Sequence, residues 1–353
     1  MKSTVKRVVS LLICSVIVFG AIAIGGNMTG LLNLSDIFGL SVFAAETSGT
    51  CGDNLTWSFD ESTGTLEISG TGDMTNYSWA NRPWEDSEDL ITTVTIGNGV
   101  TSIGDYAFNS FDKLAKASIP YGVTKIGNYA FGFCGELSEI NLPNSLTVIG
   151  SSSFKYCSNI QSIIIPDGVV SIGSSAFENC TGLTSLTIPD SVTSIGSSAF
   201  ESCTGLTSLT IPNSVTTIGD SAFSGCTGLT SLTIPDSVTS IGSSAFRNCT
   251  GLTSLTIPDS VTSIGYSAFG GCKKLVSITI PFGVAEISKR AFNGCSNLTR
   301  IEVDKSNENY SSADGVLFDK GKTRLIQYPE GKEGTAYSIP DSVTSIGNSA
   351  FSG

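Results

Sequence analysis

A 23-residue repeat dominates this sequence and constrains its fold more than any other feature. Phenylalanine, preceded by alanine in every case except Phe154, recurs every 23 residues at Phe108, Phe131, Phe154, Phe177, Phe200, Phe223, Phe246, Phe269 and Phe292. Proline keeps the same interval from Pro120 to Pro281. A fixed period of this length is the signature of a solenoid, in which each turn packs on its neighbours. A domain count based on the 353 residues therefore does not apply.

The unit LTSLTIPDSVTSIGSSAFENCTG, which begins at Leu183, shows how one turn is built. Polar and apolar residues alternate from 185 to 188, so this segment predicts a short strand with Leu186 and Ile188 facing inward. Pro189 ends the strand because proline cannot donate to a continuing ladder. Equivalent strands of stacked turns are expected to pair about 4.8 Å apart in a parallel sheet.

The second half of the unit predicts a second extended piece and a short helical turn. Residues 192–195 form the extended piece, and Gly196 permits the bend that follows it. We expect residues 197–203 to coil into a helical turn, with Phe200 as the large filler of each layer. The predicted fold class is therefore a leucine-rich repeat solenoid with a parallel β-sheet and short helical turns.

Irregular segments divide the chain into five predicted parts. Residues 46–90 contain two strand-like segments around a turn and are expected to form a β-hairpin cap on the solenoid of 91–303. The period then breaks at 304–337, which predicts an inserted β-hairpin. Residues 338–353 read as an incomplete final repeat, and we expect that the chain is truncated there. Residues 1–45 precede the cap.

The first 45 residues have the pattern of a secretory signal peptide. A basic start is followed by the apolar stretch 8–24 and by small residues that end at Ala44 and Ala45. Cleavage after Ala44 or Ala45 is expected, with Ala23 as the alternative site. An uncleaved anchor remains open, because the apolar stretch is near the lower length limit for a membrane span.

The charge of the chain limits its partners. The formal net charge is −12 at pH 7, and removal of the basic leader makes it more negative. Because no basic stripe is present to neutralise phosphates, nucleic acid is not an expected partner. Attraction to an anionic membrane surface is equally disfavoured, so contact with a membrane is expected only through the leader or a missing anchor.

The repeat pattern L-x-x-L-x-I-P-x-x-V-x-x-I-G-x-x-A-F-x-x-C resembles that of the BspA-like leucine-rich repeat family of bacterial surface proteins. The resemblance covers 91–303 and 338–353, and 51–57 looks like the module often found before such repeats. It implies a secreted or cell-surface adhesin or binding protein that recognises host proteins or other cells. No particular partner follows from it, because a fold does not define a ligand.

Catalytic chemistry has little support in the sequence. The chain contains no histidine, so it lacks the commonest general base, the usual Ser and Cys triads and the commonest metal ligand. The cap is rich in carboxylates, at Asp53, Asp60, Glu61, Asp73, Glu85, Asp86, Glu88 and Asp89. No calcium-loop spacing is present, so we interpret these residues as a solvated face. We expect neither an enzyme nor a bound cofactor or metal.

One cysteine recurs in each turn from the second turn onward, at Cys134, Cys157, Cys180, Cys203, Cys226, Cys249, Cys272 and Cys295. In a secreted chain these residues have three interpretations: a disulfide framework, a metal array or a column of buried thiols. In-register side chains project in one direction, whereas a disulfide needs facing Cβ atoms about 3.8 Å apart. Zinc sites usually contain CxxC pairs or histidine. We therefore predict buried free thiols, and Cys51 has no evident partner.

Columns of serine and threonine form the candidate partner-binding surface. They are expected to line one face of the strands at Ser185, Thr187, Ser208, Thr210, Ser231, Thr233, Ser254, Thr256, Ser277 and Thr279. Such hydroxyls could instead keep an exposed sheet soluble, or ladder along the stack. In the turns before and after these columns, the equivalent strand positions hold other residues, at Lys116, Glu139, Asn141, Ile164, Arg300 and Glu302. This divergence argues against an ice-binding lattice.

Three functional hypotheses follow from these observations. In the first, the chain is an exported adhesin whose strand face binds a host or cell-surface protein or glycan, and gains avidity by repetition. In the second, it is a spacer that presents a missing carboxy-terminal domain. In the third, that missing domain is catalytic. The sequence beyond Gly353 would discriminate among them.

Overall fold

The computed structural model describes residues 46–334 and 336–352, and the predicted leader at 1–45 lies outside them. The described chain forms a solenoid of 23-residue turns with a β-rich cap at its start, which confirms the predicted fold class. No α-helix occurs in these residues, and their only helix is a short 3₁₀ helix at Glu85–Leu90. A membrane-spanning helix is likewise absent from this part of the chain.

The strands follow one another in a regular order. In chain order they are β1 Ser48–Gly52, β2 Leu55–Asp60, β3 Thr65–Gly70, β4 Gly72–Asp73, β5 Thr93–Ile96, β6 Val100–Ile103, β7 Lys116–Ser118, β8 Lys125–Ile126, β9 Glu139–Asn141, β10 Val148–Ile149, β11 Ser162–Ile164, β12 Ser171–Ile172, β13 Ser185–Thr187, β14 Ser194–Ile195, β15 Ser208–Thr210, β16 Thr217–Ile218, β17 Ser231–Thr233, β18 Ser240–Ile241, β19 Ser254–Thr256, β20 Ser263–Ile264, β21 Ser277–Ile280, β22 Glu286–Ile287, β23 Arg300–Val303, β24 Tyr310–Ala313, β25 Val316–Asp319, β26 Arg324–Gln327 and β27 Ser345–Ile346.

Each regular turn contributes one strand to each of two parallel arrays. The first strands run from β5 to β23, and the second strands form a ten-stranded parallel sheet from β4 to β22. In β13 the side chain of Leu186 is buried while Ser185 and Thr187 are exposed, as the alternation predicted. Ile195 in β14 is also buried, so both arrays face one shared core.

A column of phenylalanine rings fills the centre of the solenoid. From Phe131 to Phe292 the rings of successive turns stack with centroids 5.3–5.8 Å apart and interplanar angles of 9° or less. Each of these rings is buried. Since one ring is sandwiched between two others, every turn depends on its neighbours for the walls of its core.

The cap continues both the first array and the ring column. β1, β2 and β3 are antiparallel, and β3 pairs in parallel with β5, so the hairpin becomes the first layer of the sheet. Trp84 is buried and stacks on Phe108, with centroids 5.6 Å apart. Its indole N–H donates to the Ala107 carbonyl at 2.9 Å. The cap therefore covers the first apolar layer with a tryptophan.

The segment that was predicted to be a short helical turn is a run of tight turns instead. Within one layer, the N–H of Ala199 donates to the Gly196 carbonyl at 3.2 Å, as in a β-turn. The N–H of Phe200 donates to Ala222 of the next layer at 2.8 Å. Ser198 and Ser202 have positive φ angles of 56° and 59°, which a helix does not allow. Bonds between layers thus replace the i to i−4 bonds of a helix.

Glycine after the second strand is required by close packing rather than by the bend for which we predicted it. A Cβ atom on Gly196 would lie 2.7 Å from the backbone nitrogen of Ser174 in the preceding turn. A Cβ atom on Gly173 or on Gly219 would likewise lie 2.6 Å or 2.8 Å from the nearest backbone atom of the preceding turn. None of these three glycines has a positive φ angle. The glycine column therefore sets how closely adjacent turns approach.

The insertion contains the predicted hairpin and one strand more. β25 and β26 are antiparallel, β24 pairs with β25, and β26 pairs in parallel with β27 of the last turn. The buried side chain of Asn307 donates to the carbonyls of Pro281 and Val284 at 2.8 and 2.9 Å. These bonds attach the insertion to the ninth turn.

Candidate functional site

The predicted partner-binding residues form one ordered surface, which we call the strand face. It consists of the outward side chains of β13, β15, β17, β19 and β21, namely Ser185, Thr187, Ser208, Thr210, Ser231, Thr233, Ser254, Thr256, Ser277 and Thr279, and all ten are exposed. Ser185 pairs with Ser208 and Thr187 with Thr210 in exact strand register, and β17 and β19 are paired in the same way. The structure thus places the ten residues in two straight columns.

The strand face is segmented along the solenoid. The first-strand ladder is continuous through β11, β13 and β15, then through β17 and β19, and then through β21 and β23. It is interrupted between β15 and β17 and between β19 and β21, although these strands remain neighbours. The two hydroxyl columns therefore extend across three blocks of paired strands rather than one uniform sheet.

The hydroxyls of the strand face are not used by the fold. Within the part of the chain that the structure describes, none of the ten side-chain hydroxyls takes part in a hydrogen bond. Neighbouring columns behave differently: the hydroxyl of Thr207 donates to the Thr184 carbonyl at 3.2 Å, and that of Ser214 to the Val192 carbonyl at 2.6 Å. The hydroxyl ladder that holds turns together is therefore formed beside the strand face, and the strand face itself remains free for a partner.

Charged and apolar residues border the hydroxyl columns. On the cap side, Lys116 and Glu139 form an exposed ion pair at 3.0 Å, and Ile164 is 83% exposed. On the insertion side, Arg300 lies 3.5 Å from Glu302. These are the positions where the repeat diverges, so they give the two ends of the strand face different surfaces.

Two of the acidic residues of the cap, Asp60 and Asp73, accept hydrogen bonds from nearby serine and threonine residues. Asp60 accepts hydrogen bonds from the backbone and side chain of Ser62, and these bonds lower its pKa. Asp73 accepts from Thr101 and Ser102, which lowers its pKa in the same way. Among the described residues, no group of three or more Asp, Glu or Cys side chains is arranged to hold a metal ion.

The cap also contains a half-buried ion pair. The guanidinium of Arg82 is almost fully buried and lies 2.7 Å from the carboxylate of Glu88. It also donates to the Asn109 carbonyl of the first turn and packs over the ring of Phe111. Burial raises the pKa of Glu88, and the charge of Arg82 opposes that rise. The pair attaches the cap to the solenoid.

The repeat cysteines are buried and free, as are all nine described cysteines including Cys51. Each repeat thiol from Cys134 to Cys295 donates to the carbonyl of the phenylalanine 26 residues earlier, at 3.1–3.3 Å. Burial raises the pKa of Cys203 and Cys249 to about 12. The thiol column is therefore part of the core.

This environment predicts slow thiol chemistry in the folded protein. Because the nucleophilic form of cysteine is the thiolate, the raised pKa values should suppress alkylation even at pH 9. We expect iodoacetamide to leave the repeat cysteines unmodified in native protein and to modify them after unfolding, as counted by intact mass spectrometry. A disulfide between cysteines 23 residues apart, or bound zinc in native mass spectra, would contradict this assignment.

Sequence reasoning overlooked four aromatic residues in the loops after the second strands. Tyr106 and Tyr129 stack with centroids 4.8 Å apart and an interplanar angle of 8°. Phe133 and Tyr156 stack at 5.0 Å and 14°. We call these four residues the loop patch. They depart from the Ser, Asn and Gly that the later turns carry at the same positions, and that departure was the signal available in the sequence.

Comparison with known proteins supports a repeat-protein relationship. A family model described as "BspA type Leucine rich repeat region (6 copies)" matches residues 86–207 and 193–313. A search of curated proteins found no match.

Several solved structures are similar to the chain. A leucine-rich repeat protein from Bacteroides ovatus is 27% identical, covers 85% of this chain and 79% of its own, and superposes with a TM-score of 0.61. A leucine-rich repeat protein from Eubacterium ventriosum is 26% identical, over 87% of this chain and 95% of its own, with a TM-score of 0.49. The first of these similarities supports the solenoid architecture described above.

Proposed function

The chain belongs to the BspA-type leucine-rich repeat family, and from that premise we propose that it is an exported binding protein of the cell surface. Families of this kind are repeat scaffolds, in which the repeated surface is available for binding. We propose that the strand face holds a host or cell-surface protein or glycan, and that attachment to other cells follows from this binding.

One observation carries this proposal: the ten strand-face hydroxyls have no hydrogen-bond partner in the described protein, while adjacent threonine and serine columns are used between turns. A free hydroxyl can donate one hydrogen bond and accept others. Because neighbouring strands lie about 4.8 Å apart, a partner that spans several turns meets the same pair of groups at each step. Weak contacts of this kind gain strength by repetition.

We expect the triple variant Thr210→Arg, Thr233→Arg and Thr256→Arg to abolish adhesion. Three long cationic side chains would obstruct the middle of the strand face. Stability should change by only about 0.5 kcal/mol per site, because the replaced side chains point to solvent. The assay measures binding of protein-coated beads to cultured epithelial cells and to immobilised matrix proteins, with the folded state checked by circular dichroism.

The matched control adds the same charge to the same turns on the other array. Thr216, Thr239 and Thr262 are exposed threonines beside the second strands. The hydroxyls of Thr239 and Thr262 donate to the preceding turn, so their replacement by arginine should lower stability more than the strand-face changes do, but it should leave adhesion intact. If a folded Thr210, Thr233 and Thr256 variant attaches as well as the native protein, the strand-face proposal is wrong. The spacer hypothesis predicts that result. The insertion at 304–337 would then be the next segment to delete.

A further inference from the structure

The loop patch places bulky aromatic residues at positions where the backbone is left-handed in every turn. Tyr106, Tyr129, Phe133 and Tyr156 all have φ angles between 55° and 63°, and the equivalent residues of the later turns also have positive φ angles. Bulky side chains rarely adopt this conformation, so the repeat explains the backbone but not the choice of aromatic residues. In the later turns the same loop is built with Ser175, Ser198, Ser221, Ser244, Ser267 and Arg290 at the first position, and with Asn179, Ser202, Gly225, Asn248, Gly271 and Gly294 at the second.

The aromatic rings of the loop patch form offset stacks and remain partly accessible to solvent. Ring faces in contact lie about 3.5–4.0 Å apart, whereas the centroids are 4.8 Å and 5.0 Å apart in the two nearly parallel pairs. Each ring is therefore displaced sideways and leaves part of its face uncovered by its partner. Phe133 and Tyr156 are 39% and 44% exposed, and Tyr106 and Tyr129 are half-buried.

The charged groups beside the loop patch disfavour an anionic ligand. The ammonium group of Lys155 lies 5.7 Å from the centre of the Tyr156 ring and forms an ion pair with Glu178 at 2.8 Å. Asp105, beside Tyr106, accepts hydrogen bonds from the backbone and side-chain nitrogens of Asn128, which is neutral, so the carboxylate keeps its negative charge. Because Lys155 is paired and Asp105 repels anions, this arrangement favours an uncharged ligand.

The dimensions of the loop patch favour a small, ring-shaped ligand. Its residues belong to three consecutive turns, which span about 10 Å along the solenoid at the usual strand spacing. A specific protein partner usually covers about 800 Å² on each side, far more than these four rings present. A short oligosaccharide matches this length, and its apolar C–H faces can lie on aromatic rings while its hydroxyls bond to nearby polar groups.

We propose that the loop patch is a binding site for a neutral glycan, separate from the strand face. Sugar rings lie along the parts of the aromatic faces that neither the stacked partner nor Lys155 covers. The phenol groups and the Lys155–Glu178 pair provide hydrogen bonds to sugar hydroxyls at the edge of the patch. The aromatic residues position the ligand, and the left-handed backbone holds them in place.

Affinity electrophoresis tests this site with soluble polysaccharides in native gels. The probes are hydroxyethyl cellulose, galactomannan, mannan and laminarin as neutral polymers, with polygalacturonate as an acidic one. We expect at least one neutral polymer to retard the native protein. The variant Tyr106→Ser, Tyr129→Ser, Phe133→Asn and Tyr156→Asn should migrate as in a plain gel. Its unfolding midpoint should be unchanged or higher, because later turns use these residues at the same positions.

Matched controls separate loss of the site from loss of an exposed aromatic. Tyr121 is 78% exposed and lies outside the loop patch, and the equivalent residue two turns later is Asp167. Tyr121→Asp should therefore be retarded like the native protein, and so should the triple arginine variant of the strand face. If the fourfold variant fails to fold, the two-residue variant Tyr106→Ser and Tyr129→Ser provides the test.

Four results would overturn the proposal: no retardation by any neutral polymer, retardation by polygalacturonate alone, unchanged retardation of the folded patch variants, or loss of retardation in the Tyr121→Asp control. Because cell adhesion through the strand face is measured separately, the two proposals can fail independently.

Discussion

Replacement of Phe200 by alanine is expected to lower the free energy of unfolding by about 3–5 kcal/mol, the usual cost of emptying a large aromatic site in a core. The ring of Phe200 is sandwiched between those of Phe177 and Phe223, with centroids 5.4 Å away on both sides. Its removal leaves a cavity that both neighbouring turns line. Urea denaturation of purified protein measures the loss.

The damage caused by Phe200→Ala should be local, because each turn contacts only its neighbours. Hydrogen exchange is expected to rise most between residues 177 and 223 and much less around Phe108. Phe282→Ala provides the control, since Phe282 is 52% exposed and its truncation should cost little. A uniform rise in exchange along the chain would contradict stacking of semi-independent turns.

Replacement of Gly196 by alanine should be nearly as harmful, with an expected cost of about 3 kcal/mol, at the upper end of the usual range for overpacking. The added methyl group would lie 2.7 Å from the Ser174 nitrogen and 2.8 Å from the Gly173 carbonyl carbon. Both atoms belong to backbone that is held in the adjacent turn, so neither can move without disturbing the second-strand sheet. Thermal and urea unfolding would measure the effect.

Gly135→Ala is the matched control for this prediction. At Gly135 the nearest atom to an added Cβ is the Ser158 hydroxyl oxygen, 3.8 Å away. The φ angle of Gly135 is not positive, so alanine is tolerated there without backbone strain. This variant should unfold near the native midpoint. Equal stability of the Gly196→Ala and Gly135→Ala proteins would show that close backbone contact does not explain the glycine column.

The strands could be predicted from the sequence because the residue patterns that determine them are local or repeat at a strict period. Alternation in 185–188 fixed which side chains face inward, and Pro189 marked where the strand ends. The loop at 197–203 was misjudged because its conformation depends on bonds such as that from Phe200 to Ala222, in the next turn. Residue preference within one turn carries no information about such bonds.

The exposure of the strand-face residues could be predicted from the alternation of the strands, but their free hydroxyls could not. Thr207 and Thr210 both belong to threonine columns of the same period, yet only the hydroxyl of Thr207 donates a hydrogen bond to the preceding turn. The pattern of residue types is the same in the two columns, so the distinction between structural and free hydroxyls required coordinates. In contrast, the aromatic residues of the loop patch were visible as departures from the repeat.

The hydrogen bonds between the loops of successive turns run in one direction, so the two ends of the solenoid present different groups. Loop N–H groups such as that of Ser202 donate forward to the next turn, so the ninth turn would leave donors exposed to any incoming chain. The insertion occupies two donors of this turn: Gly294 in the loop donates to the Glu330 carboxylate, and Ile287 in β22 donates to the Tyr310 hydroxyl at 2.8 Å. Open strand edges are templates for polymerisation. Side chains of the insertion thus act as terminators that oppose end-to-end growth at this turn, and they leave the number of preceding units free to change without a new terminus.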